Sequence, residues 1–155
     1  MRMGDPQCAR SQSIVPRQKP VEFDASAFVA DPELVKALEK RSKLIPCEAD
    51  HVLFRQGDAP VGLYVLHAGE VSLKMDSPRG RSIVSTKAEP NSLLGLPGLI
   101  GNASYTLTAI AHAGAQLSFI ERDEFMELMQ SDPTISFKIL RVLAAEVRSA
   151  RRAIR

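Results

Sequence analysis

Between Val52 and Phe119, short runs of β-favouring residues are cut at close intervals by turn residues, and this punctuation leaves little room for a helix of ordinary length. Val52-Leu53-Phe54 stops at Gly57-Asp58, and Val61 to His67 stops at Ala68-Gly69. Val71, Leu73 and Met75 then alternate with polar residues until Asp76-Ser77-Pro78-Arg79-Gly80. Arg81 to Thr86 ends before Glu89-Pro90-Asn91, and Tyr105 to Ala111 and Ala115 to Ile120 supply two further runs. Each interval suits one strand, and the spacing is that of a sandwich or barrel, most simply a jelly roll.

Helical signals flank this region. Asp31-Pro32-Glu33 puts an N-cap carboxylate ahead of a proline at the first helical position, and Leu34, Val35 and Leu38 follow at helical spacing, which predicts a short helix ending near Lys43. Asp132-Pro133 repeats the start signal after a predicted helical segment, Arg122 to Gln130, and predicts a long helix to the end of the chain. There Leu140, Leu143, Val147, Ala150 and Ile154 recur at steps of three and four, the pattern of a coiled-coil seam. A homodimer through this helix is expected, with packing of the stripe on the chain's own barrel as the competing reading. Residues 1–22 carry Pro6, Pro16 and Pro20 among Arg, Gln and Ser, and read as a loose arm. The division is then an arm over 1–22, a β domain over 23–133 and a dimerisation helix over 134–155.

Composition excludes several classes. With 45% hydrophobic residues the 155-residue chain can build one real core, yet no apolar run approaches the roughly 20 residues that cross a bilayer. No leader with a basic start and an apolar core is present, so the chain reads as cytoplasmic, with no membrane partner. Cys8 and Cys47 make neither a disulfide framework nor a cluster site. His51, His67 and His112 stand apart, without the His-x-His and following carboxylate of a metal-binding jelly roll, so no metal is expected. Six cationic residues against Glu146 alone make Thr134 to Arg155 basic, which suits a helix C-terminus and is also compatible with an acidic partner.

One segment fits neither strand nor solvent loop. Leu93-Leu94-Gly95-Leu96-Pro97-Gly98-Leu99-Ile100-Gly101 is too rich in glycine and proline for the one and too apolar for the other, and should fold inward. It lacks the Lys-Ser/Thr ending of a phosphate-cradling loop.

Leu53-Phe54-Arg55-Gln56-Gly57-Asp58-Ala59-Pro60 and Leu63-Tyr64-Val65-Leu66-His67-Ala68-Gly69-Glu70-Val71 carry a resemblance. With the Gly95 region and the final helix, the chain from about Val29 to Arg155 resembles the sensor module of the Crp/Fnr, or cyclic-nucleotide-binding-domain, superfamily. The resemblance implies a mainly β fold with flanking helices: a double-stranded β-helix (jelly roll), a short N-terminal helix and a long C-terminal dimerisation helix. In nucleotide-binding members a short helix opens with Gly-Glu, whose carboxylate bonds the ribose, and an arginine about nine residues later pairs with the cyclic phosphate. Gly95 matches the glycine, Leu96 stands at the glutamate position, and Tyr105 stands at the arginine position counted without a gap. Thr106 and Thr108 remain as hydroxyl donors, while Ala150 stands where cAMP-binding members often place a hydroxyl residue.

No Lys or Arg occurs between Ala88 and Glu121, and an uncompensated buried phosphate is strongly disfavoured. The expectation is therefore a non-catalytic regulatory module, without cofactor, whose pocket holds a small-molecule effector other than a phosphate-bearing nucleotide, or none. Gly95, Leu96, Pro97, Gly98, Leu99, Tyr105 and Thr106 are the candidate ligand-binding residues. Tyr105 either offers its hydroxyl to the effector or packs its ring with the hydroxyl in water. No sequence-specific DNA binding is expected within this chain, which ends at Arg155 without the helix-turn-helix domain of full-length regulators. Alternatives are a genuine cAMP or cGMP receptor, the effector domain of a transcription regulator, and a metal-bearing jelly-roll enzyme.

Overall fold

The turn residues do divide the central region into strands. The computed structural model describes Pro20 and residues 24–153, so the expected arm over 1–22, Pro20 apart, and Ile154 of the expected seam lie outside the described residues. The strands are β1 (Lys43–Ile45), β2 (His51–Phe54), β3 (Gly62–Ala68), β4 (Val71–Asp76), β5 (Ser82–Ala88), β6 (Leu93–Leu94), β7 (Thr108–Ala111) and β8 (Gln116–Glu121). They form two four-stranded antiparallel sheets, ordered β1-β8-β3-β6 and β2-β7-β4-β5, in the jelly-roll fold the spacing predicts.

Helices cover one sheet. A 3-10 turn (Ala25–Phe28) leads into α1 (Pro32–Glu39), α2 (Leu96–Ile100) lies between β6 and β7, and α3 (Arg122–Ser131) and α4 (Pro133–Ala153) follow β8. The two expected N-caps form: the Leu34 amide donates to Asp31 Oδ1 at 2.8 Å, and the Thr134 and Ile135 amides donate to Asp132 Oδ1 at 3.1 and 3.3 Å.

Two apolar clusters result, one on each side of the sheet that contains β3. Leu63 and Val65 point towards Leu34, Leu38, Phe125 and Ile139 of the helices, whereas Leu66 faces the roll interior with Phe54, Leu73, Ala109 and Leu117. A sheet buried on both faces needs apolar residues at successive positions, which is why Gly62–Ala68 reads as a nearly continuous run.

Three boundaries differ from expectation. The first helix ends at Glu39 rather than Lys43, because Lys43–Ile45 is taken by β8 as an edge strand. With Leu44 82% exposed, this strand carries no burial signal to reveal it. The predicted strand from Tyr105 starts at Thr108, since Tyr105 exchanges backbone hydrogen bonds with the turn after β2: its amide donates to Asp58 and its carbonyl accepts from Gly57, both at 2.9 Å. Within α4, Leu143 packs against the chain's own helical cluster and Ala150 is half-buried, so the expected seam is not a single face. Ile135, Ile139, Val142 and Ser149 point inward, while Leu140 (58% exposed) and Val147 (51%) point out beside exposed Phe137.

Candidate ligand site

The inward fold of the Gly95 segment follows from its residues. Gly95 adopts φ +96°, a left-handed conformation that suits glycine, and a Cβ there would lie 2.8 Å from the Tyr105 ring. Gly98 sits so close to the Ser104 carbonyl oxygen that a Cβ would approach it to 2.6 Å. Both glycines thus permit α2 to lie tightly against the loop that follows it.

A cavity of about 20 Å³ opens beside this segment, room for about one water molecule. Gly95 and Pro97 form one wall, with Leu94, Thr106 and Leu107 alongside. Phe28 of the 3-10 turn, Phe54 of β2 and Leu73 of β4 form the rest, and α4 contributes Glu146. Three of the seven expected ligand residues, Gly95, Pro97 and Thr106, therefore meet at one cavity. The other four do not line it.

Leu96 and Leu99 are fully buried in the helical cluster, on the opposite side of the segment, because the first turn of α2 directs them towards Leu34 and Leu63. Gly98 serves the close contact with Ser104. Tyr105 follows neither of its expected readings: its ring is buried and stacked on Phe54, 4.1 Å between centroids and 21° between planes, and its hydroxyl is buried too. That hydroxyl donates to the Gly62 carbonyl at 2.8 Å and accepts from the Val61 and Gly62 amides at 3.1 and 3.3 Å. It ties the loop after α2 to the start of β3, leaving Thr106 as the neighbour that reaches the cavity. Thr108 is likewise committed, accepting from the Gln56 amide at 2.9 Å.

Glu146 is the residue that sequence reasoning missed. It lies on the inner stripe of α4, one turn from Val142 and three residues before Ser149, whose Oγ accepts from the Asp24 amide at 3.1 Å. Its Oε2 is buried without a hydrogen-bond partner among the described residues, and burial pushes its carboxyl up to about 8. The available signal was an acidic residue at an inward position of an amphipathic helix otherwise filled with Ile and Val.

No described residue lining the cavity is a cation. Two cationic side chains of α4 are engaged away from the cavity: Lys138 pairs with Asp31 at 2.8 Å and Glu33 at 3.2 Å, and the Arg141 guanidinium lies 4.7 Å from the Phe137 ring centroid. Ala150, the position expected for a purine-bonding hydroxyl, does not line the cavity.

The histidines lie away from the site. His67 Nε2 is 2.8 Å from Ser118 Oγ, and His112 Nε2 is 2.7 Å from Ser72 Oγ with Asp50 Oδ2 3.4 Å from its Nδ1. The last set has the connectivity of a hydrolytic triad, but the amides around it are engaged: His112 donates to Glu70, Ala113 to Asp50, and β4 is paired on both edges. It binds the β1–β2 loop to β4 and β7. Among the described residues no group of three or more His, Cys, Asp or Glu side chains is placed to hold a metal ion, and no helix is long and apolar enough to cross a membrane.

Comparison with known proteins agrees with this architecture. The family description "Cyclic nucleotide-binding domain" matches residues 44–132. A "CRP-like cAMP-activated global transcriptional regulator" of Mycobacterium tuberculosis is 25% identical over 118 residues, 76% of this chain and 53% of that protein, so the chain spans about half the length of this curated relative. Among solved structures, the catabolite activator protein of Thermus thermophilus superposes with a TM-score of 0.70 at 22% identity, over 80% of this chain and 58% of its own. The N-terminal domain of a transcriptional regulator from Streptomyces coelicolor superposes with a TM-score of 0.60 at 25% identity, covering 88% of this chain and 94% of its own.

Proposed function

The chain belongs to the cyclic nucleotide-binding domain family, and on that footing we propose that it is a non-catalytic sensor of the Crp/Fnr type whose pocket does not seat a cyclic phosphodiester. The single observation that carries this reading is Glu146: it lines the cavity beside Gly95 and Thr106, and no cation lines it among the described residues. A phosphodiester placed there would meet a carboxyl where it needs a guanidinium. The charge-assisted pair it forgoes contributes about 1.5–3 kcal/mol, roughly tenfold to a hundredfold in affinity.

The same residue supplies a route for signalling. The cavity has room for about one water and α4 forms part of its wall, so an organic ligand is admitted when its walls yield, the Glu146 end of α4 among them. That movement would carry Leu140 and Val147 with it, and their exposure on the outer side of α4 supports pairing with a second copy. An effector then acts by its different affinity for two helix positions. The tuberculosis relative and the Streptomyces structure are both named as transcriptional regulators, which supports placing this module in the cytoplasm as the effector half of a transcription regulator.

Calorimetric titration with cAMP and cGMP tests the reading. The expected outcome is no binding tighter than about 1 mM, a free energy of about −4 kcal/mol. Sub-micromolar binding of either nucleotide, abolished by Gly98→Val, would overturn it in favour of a true cyclic-nucleotide receptor, the activity the tuberculosis relative's name carries.

A further inference from the structure

The walls of the cavity point to a ligand of the opposite charge. Two phenylalanine rings, Phe28 and Phe54, and the aliphatic side chains of Leu73, Leu94 and Leu107 form an apolar sleeve. A carboxyl oxygen with no hydrogen-bond partner among the described residues is buried on Glu146, which contributes to the same lining. A buried acceptor left unmatched is costly, and whichever group donates to it recovers that cost. Aromatic rings with one carboxylate also favour a cation, through ring quadrupoles and through charge. We propose that this cavity is the binding site for a small organic cation, a primary ammonium carried on an apolar body, with the ammonium donating to Glu146.

This assignment rests on the reading that the pocket refuses a phosphodiester, and it adds what the pocket accepts. Nothing else in the lining competes with Glu146 for the ammonium. The walls from the 3-10 turn, β2, β4, β6, α2 and the loop after α2 bring no titratable side chain to it, and Thr106 adds only a hydroxyl at the exposed rim. Burial alone raises the carboxyl to about 8, which favours its protonated form at neutral pH. An ammonium bound beside it favours the ionised form, so binding at pH 7 expels close to one proton into solution.

The test uses benzylammonium, with benzyl alcohol and benzoate as neutral and anionic counterparts, titrated calorimetrically at about pH 7 in two buffers of different ionisation enthalpy. The expected result is a preference of at least tenfold for benzylammonium over both counterparts, with release of close to one proton. Glu146→Gln, near in shape, should keep its circular dichroism spectrum, lose the proton release and bind the cation at least tenfold more weakly. A Glu146→Ala protein with the same two losses would support the assignment independently. Benzylammonium bound equally well by the Gln variant, or no binding of any of the three probes, would overturn the cation assignment while leaving the exclusion of phosphate intact. Tighter binding of benzoate than of benzylammonium, accompanied by cAMP binding, would overturn both readings.

Discussion

Replacing Glu146 by Gln should change how the stability of this domain depends on pH. In the folded chain burial raises the carboxyl from 4.5 to about 8, so between those values the native state holds a proton that the unfolded chain has lost. The contribution is therefore fully present below about pH 4.5 and is lost as pH rises towards 8 and beyond. Protonation of a site with these two values contributes about 2.7 kcal/mol at pH 6 and about 0.4 kcal/mol at pH 8, a loss of roughly 2 kcal/mol across the interval. For a chain of this length that corresponds to roughly 4–8 °C in Tm. Urea denaturation of both proteins at about pH 6 and about pH 8, at one protein concentration, measures it. The variant lacks the ionisable group, so the wild type should lose about 2 kcal/mol relative to it over that interval. Asp24, Asp31 and Asp50 do not enter: hydrogen bonds hold their carboxyls below the usual range, and their contributions are lost only as pH falls through the acid region. A stability difference that stays constant between the two pH values would show that the Glu146 carboxyl is not buried as described.

Tyr105→Phe keeps the ring on Phe54 but leaves the Gly62 carbonyl and the Val61 and Gly62 amides without the hydroxyl; a destabilisation of about 1–3 kcal/mol is expected in urea melts, and none would refute the clamp. Leu140→Asp, on the exposed side of α4, should give folded monomers by light scattering, whereas Leu143→Asp should lower Tm because that residue packs on its own core; an unchanged mass for the first variant would remove α4 as the interface. Asp31→Ala removes the N-cap of α1 and the partner of Lys138, and should cost about 1 kcal/mol from the cap alone; a destabilisation that appears only below pH 4 would contradict it, since the ionised carboxylate acts above that range.

The fold was largely legible in the chain, and much of the site was not. Turn residues act locally, since a glycine opens positive φ and a proline fixes φ wherever it stands, so the intervals between Gly57, Gly69, Gly80 and Pro90 set most strand limits in advance. The capping pairs Asp31-Pro32 and Asp132-Pro133 fixed two helix starts for the same reason. The position of Gly95 and the absence of a cation around it were equally visible, because both belong to the linear sequence. Facing is another matter. Whether Tyr105 meets a ligand depends on the distant Gly62 carbonyl, and whether Leu96 lines a pocket depends on which side of α2 the helices cover. Glu146 lies some fifty residues from Gly95 and faces the cavity only because α4 turns back across the roll. A sequence records which residues are neighbours along a chain, and a pocket is made by residues that become neighbours only when distant elements pack. Local torsions therefore determined the architecture, while the acidic character of the site was decided by tertiary packing.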